Sequence, residues 1–574
     1  MNTLVLLLIS IAVLFCGYVF YGGWVARQWG VNEGNHPTPA HTMEDGVDYV
    51  PAKAPILMGH HFSSIAGAGP ITGPIGAAMF GWLPVTLWVL IGGIFFGGVH
   101  DFGALFASIR HQGKSIGEII SLNMSKRAKQ LFIIFSYLTL ILVVAAFAAI
   151  VASTFGATYK DGVLDMAASA TKASVAMVSI MFILIANIFV FAVYRRHTPI
   201  VISSILGVGA IVLCMAVGMN FHPFYFSMNT WMILVGIYIT IASVTPVWIL
   251  LQPRDYLSSF LLYAMLIVAV IGIVGAHPTI DEKVFPAFAG FTINNANGTQ
   301  FLFPILFTTV ACGAISGFHS LVSSGTTSKQ LDKESDAKPI AYGGMLLECV
   351  LAIITLCAIG YARVTGHTHG ATDIFAGGIA AMVAAIPGFE GLKNIMYTLL
   401  VLTYSAFCLT SLDTATRLAR FMFQEFWLKP GENPKDVKDG FRKLMVNPYF
   451  ATIITVILGI SLGMGGFAKI WGLFGAANQL LAAIGLLAVA AWLGNAGKNN
   501  KMFLFPMSFM LLVTICSLSL IVKNQIGIIM AGAAGWGPYA QVIIGSLLVI
   551  LALILAVEGY RTIAHPRKET EINH

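Results

Sequence analysis

Residues 59–75 read GHHFSSIAGAGPITGPI and lie in an apolar stretch long enough to cross a bilayer. They hold adjacent histidines, His60 and His61, four glycines, Gly59, Gly67, Gly69 and Gly73, and prolines at Pro70 and Pro74. Proline removes a backbone donor and glycine weakens a helix, so the stretch predicts a helix broken within the membrane. In lipid the freed backbone groups must be met by protein, water or ligand. The break therefore marks a candidate binding site rather than an anchor.

The rest of the chain gives this stretch its setting. Of 574 residues, 57% are hydrophobic and 10% charged, against roughly 25% charged in a soluble domain. So few charges cannot cover so much apolar surface in water, and the fold class is an all-α polytopic membrane protein. Fifteen transmembrane helices are expected, near 2–23, 56–80, 82–109, 130–156, 173–193, 198–219, 229–250, 256–275, 300–322, 339–362, 393–412, 448–465, 469–493, 502–522 and 539–560. The first reads as a retained helix, because its apolar run exceeds a signal-peptide core and no basic residue precedes it. With the N-terminus outside, 25 of the 32 Lys and Arg fall on inside loops and 7 outside, alternating loop by loop. This predicts a periplasmic N-terminus and a cytoplasmic C-terminus, and it accounts for the net charge of +7 without a nucleic-acid partner. The expected organisation is a first helix and connection over 1–55, a transporter core over 56–412, a cytoplasmic loop over 413–447 and a four-helix unit over 448–574. The seven cysteines lie in apolar segments without CxxC spacing and read as small buried hydrophobes. Asn297-Gly298-Thr299 matches a glycosylation sequon that decides nothing by itself.

The opening stretch has an echo. Gly59-x-His61-x5-Gly67 recurs as Gly317-x-His319-x5-Gly325, and the expected topology runs the two copies in opposite directions. Paired broken segments of opposite sense point to the site of a secondary transporter. A third break is expected at Ser243-Val-Thr245-Pro246-Val-Trp248, where a proline interrupts the helix 229–250. The substrate-binding candidates are accordingly Ser63, Ser64, Gly67, Gly69, Gly73, Ser243, Thr245 and Trp248.

Ionisable groups inside the membrane are costly enough to be functional by default, and histidine titrates near neutrality. The ion-coupling candidates are His60, His61, Asp101, His319, Ser323 and Ser324. His100 and Glu348 are further intramembrane polar groups. Asp413, four residues before Arg417, is expected to pair with it along one helix face. The three histidines have no cysteine or acidic cluster at ligand spacing in the sequence, so neither a metal nor a cofactor is expected. HExxH and GxSxG are absent, which argues against an intramembrane enzyme. A channel or a sensor without coupled transport is the main rival to a carrier.

The stretches DGVDYVPAKAPILMGHHFSSIAGAGPITGPIGAA, VHDFGALFASIR with KSIGEII, ASVTPVWILLQPRDYLSSFLL, LDTATRLARF and IWGLFGAANQLLAAIGLL resemble the carbon starvation protein A family, over about residues 20 to 500. The resemblance implies a bacterial inner-membrane transporter of the amino acid–polyamine–organocation superfamily. Members are described as peptide transporters induced by carbon starvation, and some relatives as proton-coupled pyruvate importers. The implied partners are a small carboxylate-bearing substrate and H+ or Na+. The implied core is LeuT-like, with five plus five inverted helices, counting 56–80 as the first and 229–250 as the sixth. A seven-plus-seven inverted repeat is the alternative, since the echoed motifs lie seven helices apart.

Overall fold

The computed structural model describes residues 1–31, 36–46, 49–190, 200–246, 250–295, 298–367, 370–429, 432, 436–438, 440–465, 467–532 and 535–565. Among these, eleven helices are long and apolar enough to cross a membrane. Met228–Val244, Gly370–Ala384 and Pro448–Gly463 are shorter apolar helices. Two further segments are each split into half-helices, Ala54–Ile65 with Gly69–Ala77, and Leu302–Thr309 with Gly317–Gly325. The chain is a polytopic helical membrane protein with broken helices.

The first break lies where the sequence places it. Ala54–Ile65 stops at Ala66, and Gly69–Ala77 begins with Pro70 in its first turn, where the missing N–H costs nothing. The second break spans Val310–Ser316, ahead of the echoed GFHSLVSSG. The two breaks touch. A Cβ at Gly73 would lie 2.8 Å from the Thr309 carbonyl oxygen, and one at Gly69 would overlap the Cys312 side chain. The broken segments run in opposite senses. Ala52 bridges to Leu331 at the start of one and the end of the other, while at the far ends Phe80 accepts from Ala289 and Phe291 from Leu302.

Three expectations are corrected. The helix expected over 229–250 ends at Val244, with Thr245 extended at its cap. Pro246 disfavours helix at the residue before it, so it ends this helix rather than interrupting it. Among the described residues the second discontinuous segment is 302–325, separated from 54–77 by six helical spans, and not the sixth helix. Finally, Gly370–Ala384 is helical where a plain connection is expected. It packs on Gly343–Thr365, Leu251–Ala276 and Lys393–Trp427, its Gly378 lying against the Ala358 backbone.

Within the helix Phe467–Asn495, the stretch Trp471–Asn495 is the most enclosed of the long spans among the described residues. The helix packs on Gly317–Gly325, Gly98–Arg110 and Lys126–Phe155, and so lines the core directly. Lys126–Phe155 packs extensively on Lys393–Trp427, and Phe147 of one and Ser411 of the other meet Gly67 at the first break. Gly93–Gly97 and Lys338–Tyr342 are π-helical turns, and the Tyr342 hydroxyl donates to the Ile94 carbonyl at 2.8 Å. Such turns rotate the residues that follow, here His100 and Asp101 on one helix and Glu348 on the other.

Candidate functional site

An adjacent amide pair holds the second break open. Asn478 accepts the Phe318 N–H at 2.9 Å and donates to Ser316 Oγ at 3.0 Å. Gln479 donates to the carbonyls of Phe307, Val310 and Ala311 at 3.2, 3.4 and 3.2 Å. One side chain thus caps the start of Gly317–Gly325 and the other the end of Leu302–Thr309, meeting groups that the unwound helix leaves orphaned. At the first break, Ser411 donates to the Ser64 carbonyl at 3.2 Å.

Below the crossing, four titratable side chains from three helices form a fully buried cluster. Asp101 accepts from His100 Nδ1 and His319 Nδ1, each at 2.7 Å. On the far side of its ring, His319 Nε2 lies 3.4 Å from Glu348 Oε2. Neither that nitrogen nor either Glu348 oxygen has a hydrogen-bond partner among the described residues. An ionised Asp101 only accepts, so His319 carries its proton on Nδ1 and a lone pair on Nε2. Two lone pairs facing each other in a dry interior repel, and one proton between them converts repulsion into attraction. The arrangement can bind and release a proton. His61 borders it, with Nδ1 2.8 Å from Thr327 Oγ1 and its ring against Gly344.

Cys312, His319 and Glu348 also offer ligand atoms within 4.8 Å of one another, a grouping hidden in the sequence because it spans three elements. The Cys312 sulfur is already engaged, donating to Ser316 at 3.5 Å and accepting from Asn478 at 3.7 Å.

A second buried network lies on the other side of the Ala54–Ile65 half-helix. His60 Nδ1 is 3.3 Å from Asp255 Oδ2. Arg254 Nη2 bonds Asp255 Oδ1 at 3.0 Å, and Nη1 bonds Asp413 and Tyr238. Tyr238 donates to Asp413 at 2.9 Å. Asp413 thus pairs with Arg254 rather than Arg417, whose guanidinium donates to the carbonyls of Ala242 and Thr245.

The remaining candidates divide. Asp101 bonds His319, and His61 borders that pair. Ser323 Oγ is buried without a partner among the described residues, whereas Ser324 is committed to the Ser320 carbonyl and the Ile116 N–H. Ser63 and Ser64 bond the carbonyls of Asp255 and His60. Gly67 faces Phe147 and Ser411, whereas Gly69 and Gly73 face Cys312 and Thr309, so the small size of the latter two serves the contact between breaks. Ser243 bonds Thr452 at 3.2 Å and Thr245 bonds its own helix. Neither is at the crossing. Trp248 and the sequon residue Asn297 lie outside the described residues. Arg254, Asp255, Tyr238, Asn478 and Gln479 were missed, although Asn478-Gln479 stands out as a polar pair in an otherwise apolar run.

The family model for carbon starvation protein CstA matches residues 2–367 and 359–517. This chain belongs to the CstA family. It is 34% identical to the "Peptide transporter CstA" of Helicobacter pylori strain J99, covering 91% of this chain and 82% of that one. It is 32% identical to the Bacillus subtilis protein of the same name, with 85% and 84% covered. Against the "Pyruvate/proton symporter BtsT" of Escherichia coli K12 the identity is 29%, with 83% and 75% covered. These relatives carry transporter names, and this chain is a transporter of the CstA family. Among solved structures, MhsT in complex with L-phenylalanine aligns with a TM-score of 0.49 at 14% identity, over 89% of this chain and 99% of that one. A manganese transporter mutant of Eremococcus coleocola aligns at 0.48 and 12%, over 91% and 99%. At these values the likeness carries no argument.

Proposed function

We propose that this chain is a proton-coupled importer of small carboxylate-bearing nutrients, peptides or pyruvate, in the bacterial inner membrane, made under carbon starvation, with its N-terminus periplasmic and its C-terminus cytoplasmic. The observation that carries the coupling is the His319–Glu348 contact, two buried unpartnered acceptors that one proton would join. Asp101 orients His319, and His61 lies beside the cluster on a half-helix free to move at the Gly67–Gly69 break. The relatives named peptide transporter and pyruvate/proton symporter support both the substrate class and the ion.

The carboxylate is proposed to bind at the crossing of the breaks, near Ser63–Gly73 and Val310–Ser316. Gly69–Ala77 and Gly317–Gly325 begin there, and helix N-termini favour anions. Because the two breaks pack without a gap at Gly69 and Gly73, substrate entry requires them to part, as rocking in alternating access would allow. The test is uptake into proteoliposomes of pyruvate, a dipeptide and a tripeptide under imposed pH or Na+ gradients. Accumulation of one of them driven by a pH gradient and abolished by an uncoupler is expected. Uptake that only equilibrates would show a channel, and uptake driven by Na+ alone would displace the proton.

A further inference from the structure

We propose that His60 and Asp255 form a second proton site, distinct from the Asp101–His319–Glu348 cluster, so that each transport cycle carries two protons. The inference rests on the proton-coupled reading above. Its basis is a charge imbalance. Arg254, Asp255 and Asp413 are all buried, and one guanidinium serves two carboxylates. A buried carboxylate without its counter-charge is expensive. Each carboxylate has one oxygen on Arg254 and one without a donor among the described residues, but Asp413 Oδ2 also accepts from the Tyr238 hydroxyl, whereas Asp255 has Arg254 alone. The group 3.3 Å from Asp255 Oδ2 is His60, both of whose nitrogens lack a hydrogen bond. An imidazolium at His60 supplies the missing charge and the missing donor together.

The surroundings assign this role to His60. The half-helix Ala54–Ile65 packs on Leu251–Ala276, which brings Arg254 and Asp255, and on Lys393–Trp427, which brings Asp413. It also packs on Gly317–Gly325, which brings His319, and on the Lys338–Thr365 segment, which brings Lys338, Tyr342 and Glu348. Among the described residues, Asp255 is the acidic group within 4 Å of His60. His60 and His61 are consecutive, so they project about 100° apart around the helix. One ring faces Asp255 and the other Thr327 and Gly344. A single half-helix therefore carries two rings into two clusters. Protonated His60 ties the half-helix to Leu251–Ala276, and deprotonation removes that tie.

The test is the proton-to-substrate ratio of the full-length protein in proteoliposomes, read as the pH gradient that balances an opposing gradient of whichever of pyruvate or dialanine accumulates. Two protons per substrate are expected in the wild type and one in His60→Gln. A wild-type ratio of one, or the same ratio in both, would overturn the second site. Absence of pH-driven accumulation in the wild type would instead sink the underlying coupling. Asp255→Asn supplies a reading that needs no transport. It leaves Arg254 and Asp413 as a balanced pair, so the purified variant should melt close to the wild type and, compared at neutral pH where an ionised Asp255 holds no proton of its own, bind about one proton fewer in a potentiometric titration. An unchanged proton count, or a variant that does not fold because Arg254 needs both carboxylates, would overturn the proposal.

Discussion

A guanidinium between two carboxylates dominates the energetics of the inner network. Arg254→Leu leaves Asp413 buried with no cation beside it and strips Asp255 of its guanidinium, and breaking such a pair from one side costs about 3–5 kcal/mol. Adding Asp255→Asn and Asp413→Asn to that change should recover most of the loss, because the charges that were stranded are gone. Thermal unfolding of the single and triple variants in detergent measures this. A triple variant no more stable than the single one would show that packing, not charge, sets the cost. The sequence showed that Asp413 was buried and paired but pointed to the wrong partner. Helical arithmetic sees only neighbours such as Arg417, and the real partner lies 159 residues away. Glu348 was equally visible as a polar residue in an apolar helix, while its meeting with His319 depends on how two helices pack.

At the scale of elements, the second break is held by side chains from a helix that is itself unbroken. Gln479→Leu removes the donor to three carbonyls of the Leu302–Thr309 end, and Asn478→Leu removes the cap on Phe318. Each should cost about 1–3 kcal/mol, the penalty for leaving buried polar groups unmet, seen as a lowered melting temperature. Unchanged melting in both variants would mean that the break is satisfied some other way. The break at 66–68 was legible because its glycines and prolines are local signals. Pro246 misled because the same residue interrupts one helix and ends another, and only the position of the following helix distinguishes the cases. Gly370–Ala384 escaped notice because GATDIFAGGIAAMVA is short and rich in small residues, which suit close packing but give a weak span signal.

At the scale of the whole molecule, the connections sort onto two faces. On one, the Met1 amino group donates to Ile280 at 2.7 Å, Asn2 bridges Thr279, and Arg363 donates to Val284 at 3.2 Å. On the other, Arg110 pairs with Glu334, Lys129 with Glu118 and Glu425, and Lys498 with the Trp29 carbonyl. The basic connections gather on this second face, the one proposed to be cytoplasmic on the positive-inside rule. Asn2→Cys with Thr279→Cys should therefore crosslink under oxidising conditions, and cysteine labelling in whole cells should reach Lys283→Cys but not Lys438→Cys. Labelling of Lys438→Cys alone would invert the topology. The proposed coupling is also a property of the whole molecule, since it would link the buried cluster to movement of substrate across both faces. The most direct measurement compares Glu348→Gln with the wild type in proteoliposomes, for exchange of substrate at equal pH and for accumulation under an imposed pH gradient. If the proton sits between His319 and Glu348, the variant should keep exchange near the wild-type rate and lose pH-driven accumulation by at least about tenfold, a change of 1.4 kcal/mol or more in coupling. Full pH-driven accumulation in Glu348→Gln would contradict the account.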